Sequence, residues 1–256
     1  MLEVMTAAEI GVIPDISDLV TEDDTPVDNF FSAELQRLLV ESLYSSWAQT
    51  HQRKFIADAN VGIFSAIKRP PIVPDMFLSL DVEVERDFRQ KSNRSYFVWE
   101  MGKPPEVAIE IVSNQTGNEL SSKLRDYAAI CISYYAVFDP LAQLSEQMGD
   151  RLLRVFGLHE GQYHELSPVL GKDAQVLYWL EQINLGLIVK SGEYEGKQDM
   201  WLRWCDRQGE IYLTGSELAK QASELAKQAD LKLIQERQKS ERLAEKLRSL
   251  GIDPDA

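Results

Sequence analysis

Apolar positions along this chain recur at two different periods, and the change between them divides it. Leu35, Leu38, Leu39, Leu43 and Trp47 fall at three- and four-residue intervals, which predicts an amphipathic helix over 32–49 with Ser32 as its cap. From Phe55 to about Leu213, short apolar runs bounded by turn residues predict strands. These are Phe55–Asp58, Gly62–Ile67, Met76–Leu80, Tyr96–Glu100, Val107–Val112, Tyr134–Phe138, Leu152–His159, Gln162–Leu166, Leu187–Lys190 and Trp201–Cys205. Glu160-Gly161-Gln162 and Arg207-Gln208-Gly209 have the composition of hairpin turns. The helical period returns over Glu119–Ile130, where Leu120, Leu124, Tyr127 and Ile130 line one side and Lys123 sits one turn before Tyr127.

The last stretch has a pattern of its own. SELAKQA at 216–222 is repeated letter for letter at 223–229, so that Leu218, Ala222, Leu225 and Ala229 alternate four and three apart, as in a coiled-coil seam. Beyond Ala229 the register slips, and Leu243, Leu247 and Leu250 resume it in another frame. Gly215 before and Gly251-Ile252-Asp253-Pro254 after bracket one long helix. A solvated tail and self-association into a homo-oligomer both fit, because two alanine-containing heptads make a thin seam. At the other end, residues 1–31 are acidic and turn-rich and read as an N-terminal arm. The expected division is therefore an arm (1–31), a folded domain (32–213) and a helical extension (214–256).

A chain of 256 residues that is 44% hydrophobic can bury a proper core. Two cysteines are too few for a disulfide framework, which favours the reducing cytoplasm. No apolar run is long enough to span a membrane, and the N-terminus lacks the basic and apolar regions of a signal peptide. The net charge of −14 opposes indiscriminate binding to a polyanion. The stretch Arg86–Arg94 is a local basic exception, although a solvated loop is the plainer reading of it.

Candidate chemistry starts from an acid in the wrong place. Glu110 stands at the centre of the predicted strand Val107–Val112 among Ala108, Ile109, Ile111 and Val112, where a carboxylate is costly to bury without a partner. Asp75, in IVPDMFLSL at 72–80, heads another apolar strand after Pro74. Two strands that each carry an acid among apolar neighbours suggest carboxylates brought together around a hard divalent cation such as magnesium. Lys123 adds a positive charge if the helix after Asn118 packs back over the strands. Asp, Glu and Lys around such an ion are a set suited to phosphodiester hydrolysis.

At these residues the chain resembles the Uma-two family, a bacterial group with the PD-(D/E)XK restriction-endonuclease-like fold. The matching segments are PD at 74–75, PPEVAIEIVS at 104–113, KLRDYA at 123–128 and SYYAVFDP at 133–140, in the family's order, and the resemblance spans roughly Phe30–Leu213. It implies Asp75 and Glu110 as catalytic metal ligands for Mg2+ or Mn2+, the backbone carbonyl of Ile111 as a further ligand, and DNA as substrate. Where the superfamily pattern has lysine at position 112, this chain has Val112; the resembled family places the lysine on the next helix, where Lys123 is found. The superfamily often has an acid on its first helix, for which Glu34 and Glu41 are candidates, with Glu41 preferred.

Other groups carry less. His159 and His164 flank a turn and, with His51, show no zinc spacing. Cys131 among Ile130, Ile132 and Tyr134 reads as core, Ser113 has no histidine near it in sequence, and the alternating Trp201 and Trp204 read as packing rather than a base-stacking pair. The expected fold is α/β, a restriction-endonuclease-like core with a mixed sheet flanked by helices, followed by a long C-terminal helix. The expected function is metal-dependent cleavage of DNA phosphodiester bonds. The alternative is a catalytically silent module of the same fold that binds nucleic acid or protein and self-associates through its last helix.

Overall fold

In the computed structural model, residues 29–249 are described except 67–68, 84–86, 88, 90–92 and 115–117. Most of the expected N-terminal arm, the end of the strand expected at Gly62–Ile67, much of the basic stretch and the last residues from Leu250 onward lie outside the described residues, as does the Leu247 side chain. Helix α1 spans Phe30–Ser42 and is capped by Asn29, whose side-chain oxygen accepts the Ser32 N–H at 2.8 Å. Ser32, the expected cap, is itself buried one turn in. The helix continues through a π turn, Leu43–Trp47, and ends at Ala48–Thr50. Its predicted apolar face (Leu35, Leu38, Leu39, Leu43 and Trp47) is wholly buried.

Six strands form the main sheet in the order β1-β3-β5-β6-β7-β8. They are β1 (Phe55–Asp58), β3 (Met76–Leu80), β5 (Val107–Ile111), β6 (Tyr134–Phe138), β7 (Leu153–His159) and β8 (Gln162–Glu165). The sheet is mixed: β5 and β6 are parallel, joined across α3 (Ser122–Ala129), and every other pair is antiparallel. Between β1 and β5 the chain also forms a small parallel ladder, β2 (Ile63–Phe64) with β4 (Tyr96–Phe97). The strand expected to run on to Glu100 stops at Phe97. Val98 and Met101, three apart, turn inward together as the short helix α2 (Val98–Met101), which Gly102 ends in the left-handed region at φ 77°.

A second sheet, wholly antiparallel, has the order β12-β11-β10-β9. Two of its strands, β9 (Val169–Leu170) and β10 (Val176–Leu180), were not expected from sequence, and β11 (Leu185–Tyr194) and β12 (Lys197–Cys205) are about twice their predicted length. The first core lies between this sheet, α1 and one face of the main sheet, with Leu39, Met76, Ile109, Leu185 and Trp204 all unexposed. Trp201 and Trp204 are sealed in it, so neither offers a face to a base. The other face of the main sheet packs Phe77, Ala108, Val112, Tyr135 and Val137 against Tyr127 of α3. Cys131, expected in the core, is exposed; it sits in the turn after α3 with φ 62°. A further short helix, α4 (Ser145–Met148), follows β6.

The long C-terminal helix is α5, Gly215–Ser249. Thr214-Gly215-Ser216-Glu217 makes a reciprocal cap: the Glu217 N–H donates to Thr214 Oγ1 (3.3 Å) and the Thr214 N–H to Glu217 Oε2 (2.8 Å). Buried Arg203 grips Glu217 with both terminal guanidinium nitrogens, at 2.8 and 2.7 Å. Glu41 accepts the Gly215 N–H at 2.9 Å, which places a second carboxylate at the positive end of the helix dipole. Further out, Leu225, Leu231, Leu233, Ile234 and Leu243 are each more than half exposed.

Candidate active site

The site is built from strand register. Met76 pairs with Ile109 and Phe77 with Ala108, so the next step of the β3–β5 ladder sets Asp75 opposite Glu110 on one sheet face. Pro74 has no N–H to continue the ladder. That leaves the Ile111 carbonyl without a ladder donor, while the Ile111 N–H donates to the Asp75 side chain, to Oδ2 at 2.6 Å. Within an extended strand the N–H and C=O of one residue leave on the same edge, so the Ile111 carbonyl is directed to that edge too. Asp75 Oδ1 accepts from Gln36 Nε2 of α1 at 3.1 Å, and Asn60 Nδ2 in turn donates to Gln36 Oε1 at 3.1 Å.

Glu110 is 2% exposed, and α3 supplies what a carboxylate there requires. Lys123 and Tyr127 are four residues apart on that helix and reach the same group. Tyr127 OH donates to Oε1 at 2.6 Å, and Lys123 Nζ to Oε2 at 3.0 Å. Lys123 also lies 3.5 Å from Glu119. Val112, at the position where lysine was looked for, is buried in the second core, so the cation arrives from the helix and not from the strand.

The electrostatics follow from two acids sharing a dry corner with one cation. Burial pushes the Glu110 carboxyl up and the neighbouring Asp75 charge adds to this, to about 8, against the opposing effects of Lys123 and Tyr127. Burial also raises Asp75, opposed by the Ile111 N–H, by Lys123 and by hydrogen bonds to Glu110 and Gln36. For Lys123, burial works to lower the ammonium, but the Glu110 charge and hydrogen bond outweigh it and leave it raised. Tyr127 is held well above its ordinary value, first by burial and then by Glu110, so it stays a donor. The corner is short of positive charge.

Asp75, Glu110 and Lys123 thus meet. The two first-helix acids point elsewhere. Glu34 and Glu41 lie two residues before and five after Gln36, each well over a quarter turn around α1 from it. Glu41 holds the start of α5, and Glu34 is buried against Lys197 at the β11–β12 hairpin. The α1 side chain at Asp75 is Gln36, which a search for acids passes over. Tyr127 was read only as an apolar position. Asp139, another fully buried acid, is taken up by the Gln143 and Leu144 N–H groups and has a structural part.

A search of protein families matches residues 22–184 to Uma-two, described as "Putative restriction endonuclease". The chain belongs to the Uma-two family. No curated protein matches it. Restriction-endonuclease-like proteins generally use divalent metals. Among the described residues of this Uma-two chain, no three His, Cys, Asp or Glu side chains converge on one point, so a cage supplied wholly by side chains is not offered. Two carboxylates with a backbone carbonyl beside them suit a small hard ion that keeps several waters, and such an ion would add the positive charge the corner lacks. None of the helices in the described part of this Uma-two protein is long and apolar enough to cross a membrane.

Proposed function

We propose that this protein is a metal-dependent endonuclease that hydrolyses DNA phosphodiester bonds, with Asp75 and Glu110 holding Mg2+ or Mn2+ and Lys123 acting on the reacting phosphate. The observation that carries the reading is Lys123 Nζ at 3.0 Å from Glu110, which itself stands opposite Asp75. The bound ion would activate water and screen charge that builds up at phosphorus. Asp75 is fixed by the Ile111 N–H and Gln36, and Glu110 by Tyr127, so both acids are oriented before anything binds. Lys123 is the more accessible member: its side chain is 35% exposed and it lies within ion-pair distance of two carboxylates, Glu110 and Glu119. In this reading it exchanges Glu110 for a developing phosphate charge. The test is cleavage of supercoiled plasmid and single strands by wild type with magnesium, with manganese and with chelator, beside calorimetry with each metal. Metal binding with metal-dependent cutting supports the reading. No binding and no cutting hands the chain to the silent-module alternative.

Lys123→Ala is expected to keep metal affinity within a few-fold and lose on the order of a hundredfold or more in rate, the scale of one well-placed electrostatic group. Single-turnover cleavage beside calorimetry separates the two. Equal losses in affinity and rate would make Lys123 a structural partner of Glu110 and nothing more.

We further propose that copies associate through α5, whose repeated heptad and half-exposed Leu225, Leu231, Leu233 and Ile234 have no cover within the described chain. Cutting before Ser216 would strip Glu217 from buried Arg203 and disturb the core. A stop after Gln221 spares that pair. It should lower the mass measured by light scattering while circular dichroism shows the core intact. An unchanged mass would remove the helix from assembly.

A further inference from the structure

The β2–β4 ladder has only two residues on each strand, too little pairing to stabilise a fold by itself. What it does is hold aromatic rings. Phe64 and Phe97 are cross-strand neighbours whose rings stack with centroids 4.9 Å apart, and Trp99 follows at 5.1 Å from Phe97. Val61, Ile72, Val98 and Met101 around them turn inward and pack on the second core. Phe64, Phe97 and Trp99 join neither large core; outside it Phe64 and Phe97 stack, and Trp99 leans on Phe97 with its ring tilted by 45°. Trp99 is 47% exposed, whereas Trp47, Trp201 and Trp204 are buried. Gly62 lies against the Phe64 ring: a Cβ there would stand 3.2 Å from it and 3.3 Å from Pro71, so glycine leaves the ring its room.

Position points to what the stack meets. Ile63 bridges to Ile72, three residues before Asp75, which is about 10 Å of extended chain. Arg69, in the same loop, is exposed and makes no ion pair among the described residues. The chain's net charge of −14 limits how much affinity phosphate contacts can supply. Stacking does not depend on that charge, and it works on bases only when they are unpaired.

We propose that the Phe64–Phe97–Trp99 cluster is a docking platform for unpaired bases, so that the strand presented to Asp75 and Glu110 is single-stranded or locally melted nucleic acid. This rests on the endonuclease reading for its biological sense but not for its test. DNA and RNA bases share the chemistry, and Arg69 adds one phosphate contact beside the stack.

The test is fluorescence anisotropy of the full-length protein in chelating buffer, where nothing is cut, with labelled single-stranded DNA, single-stranded RNA and duplex DNA of the same sequence. The single strands should bind more tightly than the duplex. Trp99→Ala should weaken single-strand binding roughly tenfold, as expected for losing one stacked base, with duplex binding little changed. Trp99→Phe should restore most of the loss, and tryptophan fluorescence should be quenched by single strands in wild type but much less in Trp99→Ala. Which single strand binds better tells DNA from RNA. Equal binding of Trp99→Ala and wild type, or an equal loss on duplex, overturns the proposal. So does the absence of binding to any oligonucleotide, which would give the patch to a protein partner. If single-strand binding depends on Trp99 yet no metal condition gives cleavage, the platform stands and the nuclease reading fails. If cleavage occurs and Trp99 is irrelevant to binding, the reverse holds.

Discussion

Asp75→Asn is expected to remove metal-dependent cleavage by on the order of a thousandfold or more while leaving the fold in place. The asparagine oxygen can still accept the Ile111 N–H that Asp75 accepts at 2.6 Å. Its amide would face Gln36, which can turn its own oxygen inward and keep a hydrogen bond if Asn60 turns its side-chain oxygen towards Gln36 in step. What disappears is the negative charge. The variant thus separates the corner's shape from its electrostatics, which a truncation to alanine would not do. Plasmid nicking measures the rate, calorimetry with magnesium measures the ion, and circular dichroism controls for folding. Cleavage that persists at the wild-type rate would mean that Asp75 is a ladder-ending residue and that the cutting centre lies elsewhere.

Glu110→Gln should make the metal-free protein more stable at pH 8 and change it little near pH 4. In the folded protein the Glu110 carboxyl is raised to about 8, first by burial and then by Asp75, against 4.5 when unfolded. The folded state therefore holds this proton more tightly. The favourable contribution is complete below about pH 4.5 and is lost as pH rises towards 8, because unfolding then releases a proton the folded chain is forced to keep or a charge it is forced to bury. A shift of this size corresponds to a few kcal/mol. Glutamine does not titrate and can still accept from Tyr127, and the freed Lys123 has Glu119 beside it. Urea unfolding in chelator at pH 5 and pH 8 should show wild type losing stability between them and Glu110→Gln losing much less. Magnesium should restore wild type at pH 8 and have no such effect on the variant. Parallel pH profiles for the two proteins would show that Glu110 keeps an ordinary affinity for its proton.

The contrast between what the sequence shows and what it hides follows from which forces leave a local trace. Strands β1, β3 and β6 begin and end where predicted, because each is an apolar run stopped by turn residues. Strand β10 went unread although Val176–Leu180 is apolar. Its return to β11 is a short 3-10 turn ending in Asn184 at φ 51°, with no glycine or proline to mark the break. The outer halves of β11 and β12 are mostly polar, buried Tyr194 apart, and are defined by pairing, Ser191 with Met200 through Tyr194 with Lys197, which only the partner strand reveals. At the site, Asp75 and Glu110 announced themselves as charges in apolar runs. Lys123 was legible as a residue but not as a contact, since whether α3 folds back over β5 is decided by Tyr127 entering the second core. Gln36 left no trace at all. A neutral amide on a helix is ordinary until its neighbour is known to be an acid.

The fastening of α5 has a mechanical consequence. Its first turn is tied to the body at three points: the Thr214–Glu217 cap, the two-pronged Arg203 grip and Glu41 on the Gly215 N–H. A helix of 35 residues is about 50 Å long, and one clamped at the base leaves the body in a fixed direction, as a strut does and a flexible tether does not. Anything held by its outer half sits at a set distance from Asp75 and Glu110. If copies pair through these struts and cut nucleic acid, as proposed above, they would act on a strand like the points of a pair of dividers, with the interval between cuts written into helix length. Inserting or deleting turns beyond Gln221 would then change the reach of each strut by about 5.4 Å per turn, and the interval by about twice that where two struts meet at their outer ends.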